Sequence, residues 1–212
     1  METKQAAEYI EEKFARPDSA LQYALEMAKR NNLPEISIQP DEGLFLQFLV
    51  RICSAVKAVE VGTLGGYSGI WIARGLPKNG RLISIEKEPE HANIAKKSFE
   101  NAGLSSLVEI KVGNALDLLN KISGDGPYDF VFIDADKATY SDYFDWAIVN
   151  IRVGGVIAMH NVFAFGHLLD EVPVSENVQI IRDLNERIAQ DPRLISIIYP
   201  SGDGTLAAMR IE

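Results

Sequence analysis

The sequence predicts an α/β protein built on a doubly wound seven-stranded sheet, preceded by N-terminal helices. Three observations predict it. From Lys57 onward, short apolar runs alternate with amphipathic segments, which is the pattern of parallel strands joined by crossover helices. The first of these runs passes into a glycine-rich turn, K-A-V-E-V-G-T-L-G-G-Y-S-G-I-W from Lys57 to Trp71, where a strand hands over to a helix. Finally, the two C-terminal runs are joined only by Pro200-Ser201-Gly202-Asp203-Gly204, a connection that permits only an antiparallel pair.

In chain order, Thr3 to Phe14 reads as an amphipathic helix stopped by Arg16-Pro17. Asp18 or Ser19 caps a second helix, with Leu21, Ala24, Leu25 and Ala28 on one face, ending at Asn31-Asn32 before Pro34. A third begins after Pro40 with Asp41 as N-cap and Leu44, Phe45, Phe48, Leu49 and Ile52 on one side. Strand one is Ala58 to Val61, and its helix opens near Tyr67 and Ser68 and runs through Ile70 to Arg74. Strand two is Arg81 to Glu86; Pro89 then suits the first position of a helix that stops at Gly103. Strand three is Val108 to Val112, followed by a helix over Leu116 to Ile122. Strand four is Tyr128 to Ile133, with a helix from Tyr140 to Asn150. Gly154-Gly155 lead into strand five, Val156 to Met159. Residues 161 to 174 show no periodicity. Ser175 caps the last helix, which turns Val178, Ile181, Leu184 and Ile188 inward, and the closing strands are Leu194 to Tyr199 and Leu206 to Ile211. One domain, 1–212, is expected, with 1–55 as a helical appendage to an α/β core over 56–212.

Composition sets limits on function. With 47% hydrophobic and 24% charged residues, the 212-residue chain is of ordinary soluble type. No apolar run is long enough to span a bilayer, and Met1-Glu2-Thr3-Lys4 does not read as a signal peptide. The single cysteine, Cys53, lies on an apolar stripe and has no internal partner, which fits a reducing compartment, the cytoplasm. A net charge of −9 argues against a broad phosphate-binding surface, with Lys96, Lys97 and Lys111 read as solvated charges. Nucleic acid is therefore disfavoured as a partner.

The glycine turn selects a ligand class. Glycines at the end of a strand let a ligand approach the backbone, and the following helix N-terminus favours a polar or anionic group. A dinucleotide fingerprint would read G-x-G-x-x-G, but position 64 is leucine where its second glycine belongs. Glu60, just before Gly62, would repel a pyrophosphate yet suits an ammonium or sulfonium charge. Glu86 closes the next strand about twenty residues on, where a ribose diol is held. Together these favour S-adenosylmethionine over NAD.

A second group of residues gathers at the same edge. Strand four ends in F-I-D-A-D-K-A-T-Y, bringing Asp134, Asp136, Lys137 and Tyr140, and strand five ends in A-M-H-N, bringing His160 and Asn161. Ligands bind beyond the carboxyl ends of such strands. Carboxylate, amide and imidazole can converge there on a divalent cation, with the imidazole shifting preference from Mg²⁺ towards Mn²⁺, Co²⁺ or Zn²⁺. Lys137 beside such a site is a candidate base. The alternative is that Asp134 and Asp136 cap the next helix and Lys137 is solvated.

These motifs, together with Q-P-D-E-G-L-F-L-Q-F-L (39 to 49), V-G-N-A-L (112 to 116) and G-D-G-T-L (202 to 206), resemble the cation-dependent O-methyltransferases, the family of catechol and caffeoyl-CoA O-methyltransferases, in its small bacterial form. The resemblance covers nearly the whole chain. It implies the adenosylmethionine-dependent methyltransferase type of sheet and, by family habit, a homodimer. It also implies that Glu60, Gly62, Gly66, Tyr67 and Ser68 wrap the methionine part of the cofactor. Glu86 holds its ribose, and Gly113 and Ala115 edge its adenine. Asp134 borders the cofactor and binds the metal with Asn161, and Lys137 is the general base. The implied substrate is a small molecule with two adjacent hydroxyls, shaped against the N-terminal helices and the loop bearing Phe163, Phe165 and His167; those loop residues serve dimer packing equally well. Asp136 reads as a helix-start residue.

The sequence departs from the family at position 160, where His160 stands in place of an aspartate. His160 can ligate a softer divalent ion, leave a weak Mg²⁺ site, or replace the metal as a base near its ordinary pKa; of these a retained divalent site is preferred. An inactive enzyme is disfavoured by the intact Glu60, Glu86 and Lys137. Asn114 replaces the more usual aspartate beside the adenine. The competing functions are a metal-independent or tRNA-directed methyltransferase, a non-catalytic adenosylmethionine-binding protein, and an NAD-type enzyme.

Overall fold

The computed structural model describes residues 3–212; Met1 and Glu2, where the leader reading begins, lie outside them. Three helices come first: α1 (Thr3–Lys13), α2 (Ser19–Arg30) and α3 (Pro40–Ile52). Strands and helices then alternate as β1 (Lys57–Val61), α4 (Tyr67–Gly75), β2 (Arg81–Glu86), α5 (Pro89–Asn101), β3 (Val108–Val112), α6 (Ala115–Ile122), β4 (Tyr128–Ile133), α7 (Tyr140–Asn150) and β5 (Ile151–His160). The chain closes with α8 (Glu176–Gln190), β6 (Leu194–Tyr199) and β7 (Thr205–Arg210).

The sheet has seven strands in the order β3-β2-β1-β4-β5-β7-β6. The first five are parallel, while β7 runs antiparallel between β5 and β6. The chain winds outward from β1 to β3, then returns to β4 on the other side of β1. The strand order therefore reverses between β1 and β4, which opens a crevice at their carboxyl ends. The register makes those ends flush, with Val61 beside both Ile85 and Ile133, and Ile133 beside Met159.

Alternation along each central strand feeds two cores. Val59, Val61, Ile83, Ile85, Val131, Ile133, Ile157 and Met159 face α6, α7 and α8. Ala58, Leu82, Phe130, Phe132 and Ala158 face the other way, against Leu21, Leu46, Ile70 and Trp71 of the helical layer. The N-terminal helices pack on this second face. There, a Cβ at Gly43 would stand 2.3 Å from the Trp71 ring, and one at Gly75 would stand 2.6 Å from Val50. Glycines on α3 and α4 thus let the two helices touch.

Three expectations change. The N-cap of α3 is Gln39, with Pro40 opening the helix and Asp41 inside its first turn; Gln39 and Glu42 form a reciprocal capping box. Its buried face runs through Gly43, Leu46, Leu49 and Val50, leaving Phe48 and Ile52 exposed, because contact with α4 selects the face that carries the glycine. In β5, Gly154 and Gly155 lie within the strand, which begins at Ile151. Its register against β4 shifts between Tyr128 and Phe130, and a Cβ at Gly155 would crowd Asp129 O at 2.9 Å. On α2, Asp18 is the N-cap, accepting from Leu21 N, and Leu25 is exposed while Leu21, Ala24 and Ala28 are buried. Cys53 is buried and unpaired, and burial pushes its thiol up to about 11. No helix among the described residues is long and apolar enough to cross a membrane.

Candidate active site at the carboxyl edge of the sheet

The turn after β1 is held from both neighbouring strands. Gly62 has φ +92°, and a Cβ there would lie 2.0 Å from Asp134 O, so the β1 turn and the end of β4 are in direct contact. Asp134 N donates to Val61 O at 2.9 Å across the same junction. From the other side, the Glu86 carboxylate accepts from Thr63 N at 3.2 Å, Leu64 N at 2.8 Å and Glu88 N at 2.9 Å. Leu64 itself sits at φ +48°, a left-handed conformation unusual for a branched residue. Glu86 therefore fixes the turn as well as standing where a ribose is expected.

Glu60 has no exposed surface. It accepts from Ser68 Oγ at 2.6 Å, Ser84 Oγ at 2.6 Å and Thr63 Oγ1 at 2.9 Å. Burial raises its carboxyl pKa, and the three hydroxyls pull it back. Its influence on a ligand thus passes through Ser68 and Thr63 rather than through direct contact. The Tyr67 ring is likewise buried, edge-on to Trp71 with centroids 6.5 Å apart, which leaves its backbone at the start of α4 as the part facing the crevice. Gly66, at φ +87°, is the N-cap of that helix. Beyond β3, Gly113 N donates to Glu86 O at 2.9 Å, which draws Gly113 and Ala115 beside Glu86. Asn114 caps α6 by accepting from Asp117 N at 3.1 Å.

The other half of the crevice is polar and mostly buried. Lys137 is 8% exposed. Its Nζ donates to Asp134 Oδ1 at 3.3 Å, to Ala135 O at 3.0 Å and to the Tyr140 hydroxyl. The Tyr140 hydroxyl in turn donates to His160 O at 3.1 Å. Burial lowers the Lys137 pKa, against the opposing pull of Asp134. Burial alone would raise Asp134, but His160 and Lys137 outweigh it and hold the carboxyl below its ordinary value. Asp136 turns away, accepting from Tyr143 Oη at 2.8 Å and from Thr139, in keeping with its helix-start reading.

His160 ends β5 and meets a residue the sequence reading did not assign to the site. Its Nε2 lies 3.0 Å from Glu42 Oε1, and since a carboxylate only accepts, Nε2 carries a proton. Glu42 also accepts from Gln39 N at 2.8 Å and Thr205 Oγ1 at 3.3 Å. On the other side of the ring, Nδ1 stands 3.3 Å from Asp134 Oδ2, near enough for charge attraction but outside hydrogen-bond geometry, so it is a buried nitrogen without a hydrogen-bond partner. Burial would lower the imidazole pKa, but the two carboxylates override it and raise it to about 9. Asn161 follows at φ +57°, half-buried, at the start of the loop. That loop is tied to the β6–β7 turn through Val162 N to Gly204 O at 3.2 Å and Phe163 N to Asp203 O at 2.9 Å. Phe165 and His167 are exposed.

Asp134 and His160 offer donors of the kind a divalent ion takes. An unpartnered, buried ring nitrogen faces a carboxylate oxygen, and the opposite ring nitrogen is held by a second carboxylate, the arrangement that orients metal-binding histidines. Among the described residues no three of His, Cys, Asp and Glu gather as a metal cluster. A separate cavity of about 520 Å³, lined by residues including Lys57, Arg81 and Tyr128, opens at the opposite edge of the sheet and contains none of these groups.

The model of the O-methyltransferase family matches residues 11–211 of this chain. The chain belongs to the O-methyltransferase family. A catechol O-methyltransferase of Niastella koreensis is 45% identical over 179 residues, 84% of this chain and 81% of that protein. Among solved structures, the O-methyltransferase from Bacillus cereus in complex with SAH superposes with a TM-score of 0.90 at 38% identity, covering 97% of each chain. TomG of Streptomyces achromogenes, an O-methyltransferase solved with SAM, gives 0.89 at 34% identity over 100% of each. The sheet order and the antiparallel β7 are those of this adenosylmethionine-dependent enzyme class. The methyltransferase thus carries its glycine turn and its Asp134–Lys137–His160 group on adjacent strand ends, in contact through Gly62.

Glu42 is the site residue that sequence reasoning missed. The Q-P-D-E-G motif was legible as a helix start, but Glu42 meets His160 across 118 positions of sequence. An acid at the third position of a capping box normally faces solvent; here it is 1% exposed.

Proposed function

We propose that this methyltransferase transfers the methyl group of S-adenosylmethionine to one hydroxyl of a small aromatic bearing two adjacent hydroxyls. The observation that carries the reading is the buried Lys137 amine, placed beside Asp134 at the point where the cofactor turn touches β4. A bound divalent ion, held by Asp134, His160 and Asn161, would supply Lewis acidity to the substrate oxygens. The methyl donor is a co-substrate that Gly62–Ser68, Glu86 and Gly113–Ala115 would hold.

Lys137 is the proton acceptor in this reading. Burial shifts its amine towards the neutral form, which takes the hydroxyl proton as the oxygen attacks the methyl carbon and the carbon–sulfur bond breaks. Asp134, Ala135 O and the Tyr140 hydroxyl fix the amine in place, and the substrate hydroxyl would take the position of one of these three partners at the neutral amine. Asp134 orients the amine and balances its charge after proton uptake. The crevice between two strand ends supplies the alignment of donor and acceptor.

The name of the Niastella koreensis relative supports the catechol class. A panel of catechol, resorcinol and hydroquinone tests it. Methylation of catechol alone is the expected result; equal rates on all three would remove the requirement for adjacent oxygens.

Two further readings accompany this one. The exposed Ile195 and Ile197 on edge strand β6 support a homodimer, to be checked by light scattering of the purified protein. The unpaired Cys53 supports a cytoplasmic location, and Lys111 is spent on Glu109 at 2.7 Å, which favours a small molecule over nucleic acid.

A further inference from the structure

The geometry points to Glu42 as a positioning residue that makes His160 a nitrogen donor to the divalent ion, giving this site a preference for Co²⁺, Zn²⁺ or Mn²⁺ over Mg²⁺. The inference rests on the O-methyltransferase reading of the Asp134 site and assigns it a residue and an ion class.

Three observations carry it. First, Glu42 is fully engaged: Oε2 accepts from Gln39 N, and Oε1 accepts from Thr205 Oγ1 and faces His160 Nε2. Backbone also closes on it, since a Cβ at Gly202 would lie 2.7 Å from Glu42 Oε2. A carboxylate so occupied does not itself reach a ligand; it holds the ring. Second, the proton on Nε2 leaves Nδ1 as the nitrogen able to present a lone pair, and that atom is buried without a hydrogen-bond partner. His160 as a whole is 5% exposed.

Third, Nδ1 and Asp134 Oδ2 are 3.3 Å apart. Two donors about 2.1 Å from a common ion stand about 3.0 Å apart at a right angle and about 3.4 Å apart at the tetrahedral angle. The observed separation lies between them. In the ion-free protein the same two atoms form an ion pair outside hydrogen-bond geometry.

The charge arrangement agrees. The aspartate expected at position 160 from the family pattern is replaced by a ring, and that ring lies against the Glu42 carboxylate. An imidazole donor discriminates against Mg²⁺, which takes oxygen ligands, and favours the later first-row ions.

The test is titration of chelator-treated full-length protein with Co²⁺, read by its visible absorption and by calorimetry, alongside Mg²⁺. Expected are a visible band of a nitrogen-bearing site and Co²⁺ affinity at least ten-fold above Mg²⁺. Glu42→Gln and Glu42→Ala should weaken Co²⁺ binding, the alanine by about 10- to 100-fold, with the cofactor affinity retained. Should the alanine variant fail to fold, Glu42→Gln and His160→Asp remain, the latter expected to lose the band and bind Mg²⁺ more tightly. Co²⁺ bound no better than Mg²⁺, or unaltered Co²⁺ affinity in a folded Glu42 variant, overturns the inference. So does full catechol turnover by protein that binds no ion, which would leave the O-methyltransferase reading standing and make His160 a charged bridge between Glu42 and Asp134. The predicted ion binding without catechol turnover would leave the inference standing and fault only the substrate.

Discussion

Replacing Glu86 with alanine tests the claim that one carboxylate builds the cofactor turn. In the native chain it accepts three backbone N–H groups, from Thr63, Leu64 and Glu88, and is 7% exposed. A hydrogen bond to a charged group contributes roughly 1.5–3 kcal/mol, and a buried donor left unpaired costs about 1–3 kcal/mol. Thr63 N is buried and would stay unpaired, whereas Leu64 N and Glu88 N are partly exposed and recover water. Relief from burying a carboxylate offsets part of the loss. A net destabilisation of about 2–4 kcal/mol follows, and for a chain of this length that lowers Tm by roughly 5–15 °C. Loss of a fixed turn should also weaken cofactor binding at least ten-fold, about 1.4 kcal/mol. Circular dichroism melting and calorimetric titration with S-adenosylmethionine read the two effects separately. A Tm within 2 °C of wild type would refute the turn-holding role. A lowered Tm with an unaltered cofactor Kd would leave Glu86 as a structural brace and remove its ribose contact.

Other expected outcomes concern the rest of the crevice. Lys137→Ala should lower kcat by about 10²- to 10⁴-fold with cofactor Kd nearly unchanged; a kcat within three-fold of wild type would remove Lys137 as the base. Gly62→Ala places a Cβ against Asp134 O in a left-handed conformation, itself costing about 1–2 kcal/mol. With the added clash the Tm should fall by more than about 6 °C, together with turnover; a variant melting like wild type would contradict the contact between β1 and β4. In ion-free protein, His160 has a folded-state pKa raised to about 9 from an ordinary 6.5, so folding favours its protonated form. Its stabilising contribution, on the order of 3 kcal/mol, is full below pH 6.5 and lost as pH rises through 9. Denaturant melts of wild type and His160→Gln should therefore converge with rising pH; a constant difference would show that the ring is neutral throughout.

The sheet was legible because its central strands are buried on both faces and read as apolar runs with small punctuating turns. The antiparallel pairing of the closing strands was legible from one short connection, whereas the insertion of β7 between β5 and β6 was not. What escaped was set by contacts between distant elements. The α3 stripe was right for Leu44, Phe45 and Leu49 but wrong for Phe48 and Ile52, because apolar residues surround that helix and the fit of Gly43 onto Trp71 turns those two outward. The bulge in β5 depends on the register with β4, which sequence periodicity does not encode. At the crevice, Asp134, Lys137 and His160 come together because they follow or end adjacent strands, as the sequence suggests, and Asn161 begins the next loop. Glu42 was not legible there, because its partner lies on another element. Glu60 was found but given a direct ligand contact, since its enclosure by Ser68, Ser84 and Thr63 arises only when three segments meet.

The most direct test of the account is transfer of an isotopically labelled methyl group from S-adenosylmethionine by the purified protein, offered catechol and bulk tRNA in parallel with divalent ion present. Label recovered in mono-O-methylated catechol, abolished by Lys137→Ala and absent from RNA, is the predicted result. Label in RNA, or none in catechol while the cofactor binds, would contradict the assignment of this crevice to a small vicinal diol.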